Sequence, residues 1–115
     1  MGISTERKRR YMELVGEALS RAFPEADIVF FGSLVEGDFS ERLSDIDVAL
    51  YLGRPLEDRE YGRLLKVLEE EIPLLRRVEV VDLARVKDRE FLRRIIERGH
   101  LWKGSSARLK NLIER

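Results

Sequence analysis

The fold is decided by residues 28–52, IVFFGSLVEGDFSERLSDIDVALYL. Ile28, Val29, Phe30 and Phe31 form an unbroken apolar run that stops at Gly32, the pattern of a central strand buried on both faces. Leu34 and Val35 continue into one helical turn. From Gly37 to Ser44 the chain is polar and carries Gly, Asp and Ser as turn formers. Asp45 to Leu52 then reads as a second strand, ended by Gly53, Arg54 and Pro55.

Helical spacing governs the flanks. Upstream, Ser4 or Thr5 can cap a helix whose apolar positions are Tyr11, Met12, Val15, Ala18, Leu19, Ala22 and Phe23, with Pro24 as its stop. The basic run Arg7 to Arg10 falls in its first turns and reads as a solvated face. Downstream, Tyr61, Leu64, Leu65 and Leu68 share one face of a helix that ends before Pro73, and Val78 to Leu83 makes a third strand. Asp88 can cap a further helix carrying Phe91, Leu92, Ile95 and Ile96, stopped by Gly99. His100 to Lys103 reads as a short edge strand. Ser105 or Ser106 can cap a last helix through Leu109, Leu112 and Ile113. The expected fold class is α/β (α+β), one small sheet with helices packed against it.

Composition narrows the chemistry. The 115 residues include 22 basic and 22 acidic side chains, so the formal charge is zero, which disfavours broad, salt-driven nucleic-acid binding. Cys is absent, which excludes disulfides, thiolate metal sites and a cysteine nucleophile. His100 is the only histidine, so no Ser/His/Asp arrangement or zinc spacing competes. Gln is absent and Asn occurs once, at Asn111, a charge-rich, amide-poor bias of the kind found in proteins from hot habitats. No apolar run approaches a membrane span and the first residues lack a secretory signal, so the expected location is the cytoplasm, with no membrane partner.

One constellation carries chemistry. Gly32-Ser33 directly follows an apolar strand, and eleven residues separate it from Asp45-Ile46-Asp47, which opens the next. Residues two apart on a strand share a face, so Asp45 and Asp47 project together while Ile46 and Val48 enter the core. Two such carboxylates repel unless a cation neutralises them, and hard oxygen ligands suit Mg²⁺, which also bridges phosphates. Gly32 permits close backbone approach, and the N–H groups opening the next turn can hold an anion. A third carboxylate is then wanted on a neighbouring strand. Glu79 is the candidate, because it interrupts an otherwise apolar strand; Asp82, three residues on, faces the other way and is the alternative.

Phe31-Gly32-Ser33 and the spacer ending in Ser44, followed by Asp45-Ile46-Asp47-Val48, resemble the nucleotidyltransferase superfamily that includes DNA polymerase beta. Taken with Val78 to Leu83 and with Ile95 to Trp102, and with the small size, they resemble its minimal nucleotidyltransferase group over roughly residues 10 to 103. The resemblance implies a mixed sheet, with the minimal domain over 1–104 and residues 105–115 as a helical tail of the same domain. It implies that Gly32 and Ser33 contact nucleotide phosphates, that Asp45 and Asp47 bind nucleotide and metal, and that Glu79 completes a catalytic set of Asp45, Asp47 and Glu79 holding two Mg²⁺ ions once ATP is bound. The implied reaction is transfer of AMP from ATP to a hydroxyl. Many members are antitoxins that bind and adenylylate a HEPN-type toxin on tyrosine.

This chain departs from the family pattern in three places. Leu34, Val35 and Glu36 stand where basic residues commonly follow Gly-Ser, with Arg42 as a possible substitute. Glu79 stands where Asp is common, and the spacer of eleven is slightly long. Glu36 and Asp38 read as solvated loop acids, Trp102 as partial core and His100 as structural. These departures leave a second reading, a nucleotidyltransferase-fold module that neutralises a HEPN partner by binding alone. A third reading, a small-substrate transferase, would need an acceptor pocket that only a homo-oligomer could supply.

Overall fold

The computed structural model describes residues 5–37, 39, 44–72 and 77–114. In chain order these form α1 (Thr5–Ala22), β1 (Asp27–Phe31), α2 (Ser33–Glu36), β2 (Ile46–Tyr51), α3 (Asp58–Glu70), β3 (Val78–Asp82), a 3-10 turn at Leu83–Arg85, α4 (Arg89–Arg98), β4 (His100–Lys103) and α5 (Ser106–Glu114). The strands make one sheet in the order β3-β2-β1-β4. β1 runs antiparallel to β2 and β4, whereas β2 and β3 are parallel, so the sheet is mixed. Among the described residues, no helix is long and apolar enough to cross a membrane.

Strand alternation divides the core in two. Ile28 and Phe30 of β1 and Ile46, Val48 and Leu50 of β2 face α1 and α3, where they pack with Val15, Leu19, Leu64 and Val67. Val29 of β1 and Ala49 and Tyr51 of β2 face the other way, against Leu92 and Ile95 of α4 and Leu109 of α5. Both central strands are therefore covered on both faces, which is why their sequences are apolar at nearly every position.

Local chemistry sets the element boundaries. The Asp88 carboxylate accepts from the Glu90 and Phe91 N–H groups and starts α4. Ser105 Oγ accepts from the Arg108 N–H at 3.2 Å and caps α5. β4 is held by Trp102, whose indole lies directly on Gly16 of α1; a Cβ there would sit 2.7 Å from the ring, closer than atoms can approach. Lys103 Nζ donates to Ser20 Oγ and to the Pro24 carbonyl, tying the end of the same strand to α1 and to the turn after it.

Several expectations need correction. β2 begins at Ile46 instead of Asp45 and ends at Tyr51, so Asp45 precedes the strand. β3 ends at Asp82, and Leu83 opens the 3-10 turn. On α3, Leu65 is 60 % exposed while Val67 is buried, because the sheet meets the Leu64/Val67 stripe. Ser4, Asp38, Arg42 and Pro73 lie outside the described residues.

Candidate active site

The sheet register assembles the site. Asp47 pairs with Phe31 across the antiparallel β1/β2 ladder and with Glu79 across the parallel β2/β3 ladder. Residues in register on neighbouring strands share a face, so Phe31, Asp47 and Glu79 form a row on the α4 side of the sheet. Ala49 and Tyr51, further along that face of β2, are buried, whereas Asp47 is only partly covered and Glu79 is exposed. The acids thus sit where the apolar cover ends.

Gly32 follows immediately. Its backbone has φ 76° and ψ −153°, a region essentially reserved for glycine, and a Cβ there would collide with the Asp47 carboxylate. The Gly-Ser turn is therefore folded onto the acid that the neighbouring strand delivers. We expect Gly32→Ala to cost about 2 kcal/mol in backbone strain and to displace Asp47. Thermal unfolding would show the first effect as a midpoint lowered by several degrees, and an unchanged midpoint would contradict it.

Electrostatics mark Asp47. Burial, then the charge of Glu79, then that of Asp45 push its carboxyl up to about 6, and when protonated it donates a hydrogen bond to Glu79. The carboxyls of Asp47 and Glu79, with Asp45 beside them, are all hard oxygen donors whose mutual repulsion a cation would relieve, so the donor chemistry fits Mg²⁺. Among the described residues no three His, Asp or Glu side chains are already drawn into a metal cluster.

Asp82 belongs to a different part of the molecule. It accepts from the Leu56 N–H at 2.9 Å and the Ala84 N–H at 3.2 Å, and pairs with Arg85 at 3.4 Å. It caps the 3-10 turn and ties β3 to the segment leading into α3.

Side chains that sequence reading did not assign to the site line it. A cavity of about 250 Å³ opens beside Asp47, bounded by Phe31, Gly32, Glu36, Phe91 and Arg94. Phe91 is 38 % exposed and stacks edge-on against Phe31, with ring centroids 5.8 Å apart. Glu36, expected to be a solvated loop acid, instead pairs with Arg94 at 3.5 Å and Arg98 at 3.6 Å. The one available signal was the four-residue spacing of Arg94 and Arg98, which puts both on one face of α4. His100 is exposed at the start of β4, and Trp102 packs on α1, as partial core.

A family model described as nucleotidyltransferase domain matches residues 12–108. No curated protein matches the chain. Among solved structures, a mutant of the toxin-antitoxin MntA-HpeT superposes with a TM-score of 0.66 at 17% identity, covering 93% of this chain and 80% of that one. A toxin-antitoxin with AMP-PNP gives a TM-score of 0.60 at 20% identity, covering 96% and 82%. The tri-AMPylated Shewanella oneidensis HEPN toxin in complex with MNT antitoxin gives 0.62 at 16% identity, covering 93% and 87%. At these identities the likeness is one of fold.

Proposed function

Since the chain belongs to the nucleotidyltransferase domain family, we propose that it transfers AMP from ATP to a protein hydroxyl, the acceptor being a tyrosine of a HEPN-type toxin that it antagonises. The observation that carries this reading is the row Phe31, Asp47, Glu79 with Gly32 folded against it. The toxin-antitoxin complexes of similar fold, one with AMP-PNP and one with an AMPylated toxin, support the choice of nucleotide and partner.

In this mechanism Gly32 and Ser33 receive the phosphates, because a helical turn opens there and its first N–H groups lack partners within the turn. Asp45 and Asp47 would hold Mg²⁺ with Glu79 as the third ligand; the metal supplies charge neutralisation at the phosphates and acidity at the attacking hydroxyl. The acceptor oxygen bonds to the α-phosphorus as the bond to the β-phosphate bridging oxygen breaks, and pyrophosphate leaves. The hydroxyl proton passes to a carboxylate. Glu79, the most exposed acid of the row, is the one an incoming partner reaches. Phe31 and Phe91 offer an aromatic wall beside Asp47.

The test is to incubate the protein with a HEPN-type toxin, Mg²⁺ and ATP labelled at the α-phosphate, and to map adducts by mass spectrometry. An AMP adduct on a toxin tyrosine is expected. Replacing Glu79 by Gln should lower transfer by about 100-fold or more without lowering the thermal midpoint, since the side chain is exposed and its charge repels Asp47. Replacing Asp82 by Asn should instead lower the midpoint while folded molecules keep their turnover, and the reverse pattern would transfer the catalytic role to Asp82. Glu36, an acid where family members are commonly basic, favours a second reading, neutralisation by contact alone. That reading wins if wild type and an Asp45→Asn, Asp47→Asn double variant neutralise the toxin equally and no adduct forms.

A further inference from the structure

The helical turn after Gly32-Ser33 carries no cation. Leu34 is buried, Val35 packs against the same core, and Glu36 brings a negative charge to the mouth of the site. A nucleoside triphosphate carries several negative charges and would be repelled by Glu36 alone. The structure answers from the opposite wall. Arg94 and Arg98, one turn apart on α4, both reach Glu36, so two guanidinium groups offset its one negative charge.

Arg94 is the better placed of the two. It borders the cavity that contains Asp47 and also the shallower hollow formed with Ser33 and Gly37, so it stands on both sides of the Gly-Ser turn. Its side chain is 63% exposed and its contact with Glu36 is 3.5 Å, longer than the 2.7–2.9 Å typical of a tight charge-assisted hydrogen bond. The pair is thus positioned but loosely held. A guanidinium in that state can exchange a single carboxylate for the paired oxygens of a phosphate, which it binds in a two-pronged geometry. The cavity then has an acidic wall at Asp47 and a basic wall at Arg94, with Gly32 between them, as a metal-bound polyphosphate requires.

We propose that Arg94 is a triphosphate-binding cation of this site, contacting the β- and γ-phosphates of the nucleotide, and that Glu36 with Arg98 positions it in the absence of nucleotide. The proposal rests on the nucleotidyl-transfer reading. It assigns to α4 the charge that Leu34, Val35 and Glu36 do not supply.

The experiment measures binding of AMP-PNP and of AMP, with Mg²⁺, to the wild type and to Arg94→Gln, Arg94→Lys and Glu36→Gln variants. Thermal unfolding verifies that each folds. Arg94→Gln should weaken AMP-PNP by about tenfold or more and leave AMP unchanged, because only the triphosphate reaches α4. Arg94→Lys should recover part of the loss, and Glu36→Gln should tighten AMP-PNP by removing the competing anion. AMP-PNP bound equally by wild type and Arg94→Gln overturns this assignment alone. AMP and AMP-PNP weakened equally by Arg94→Gln also overturns it, since the effect would not depend on the added phosphates. A wild type that binds neither nucleotide overturns the transfer reading and this assignment with it.

Discussion

Asp47→Asn is expected to lower nucleotidyl transfer severely while raising the thermal midpoint of the metal-free protein at neutral pH. Asp47 is half-buried and pressed against Glu79 and Asp45, and its carboxyl is raised from 3.8 to about 6. Below pH 3.8 both folded and unfolded chains are protonated there, and the site carries no penalty. Between pH 3.8 and about 6 the unfolded chain has ionised while the folded one keeps its proton, so stability falls as pH rises; above that window the penalty is complete. Solvent screening at a half-exposed group reduces the penalty to about 1 kcal/mol.

The Asn variant should therefore be more stable by about 1 kcal/mol at pH 7, roughly 4 °C in midpoint, and should lose much of the pH dependence in that window. Turnover should drop on the order of 10³-fold. Mg²⁺ with ATP at 100 times Kd should stabilise the wild type by about 2.7 kcal/mol and leave the variant nearly unmoved. Calorimetry across pH 4 to 7, with and without Mg²⁺-ATP, checks each part. A variant less stable than wild type, or one that retains turnover, would refute the placement of Asp47 as the strained acid of the site.

Asp27→Ala should be strongly destabilising although it removes no apolar side chain. Asp27, the first residue of β1, is fully buried, yet it carries no apolar role. Its carboxylate accepts from Arg108 Nε at 2.7 Å and Nη2 at 2.6 Å, and from the Ser105 N–H at 3.0 Å. These bonds pin the turn into α5, and α5 itself, to the start of the central strand. Truncation leaves the Ser105 N–H without its acceptor and the Arg108 guanidinium without its partner. The guanidinium is half exposed and can hydrate, so the expected loss is about 2–3 kcal/mol, enough to lower the midpoint by about 10 °C. Native-state hydrogen exchange adds the spatial test. The Leu109 amide, which donates to the Ser105 carbonyl at 3.2 Å, should lose protection before the β1 and β2 amides do. A loss below about 1 kcal/mol would show that α5 is held by Leu109 packing alone.

The two substitutions differ in how visible their residues were. The Gly32-Ser33 turn and the paired acids Asp45 and Asp47 stand out in the sequence, because a glycine after an apolar run and an alternating acidic pair are local patterns. The strands and helices were legible for the same reason: apolar spacing is set by the period of each element, as at Val15, Leu19, Leu64, Leu92 and Leu109, all buried. Element ends were less so. Asp45 falls outside β2 because the ladder with β3 begins only where Ile46 pairs with Val78, and a ladder needs a partner that the local sequence does not name.

What tertiary structure alone decided is every relation across the sheet and between helices. Sequence spacing put Glu79 on a strand, but only the parallel register of β2 and β3 sets it opposite Asp47 and raises the proton affinity of that acid. Asp27 does not stand out in the sequence, because its partner lies 81 positions away. Glu36 looked like a solvated acid until α4 brought Arg94 and Arg98 over it. Leu65 met the helical period and remains exposed, since periodicity gives a face and packing decides how wide that face is. Local patterns follow from bonds between near neighbours, and the chain carries them wherever it goes. Charge pairing and desolvation depend on distance through space, and that distance exists only once the chain has folded.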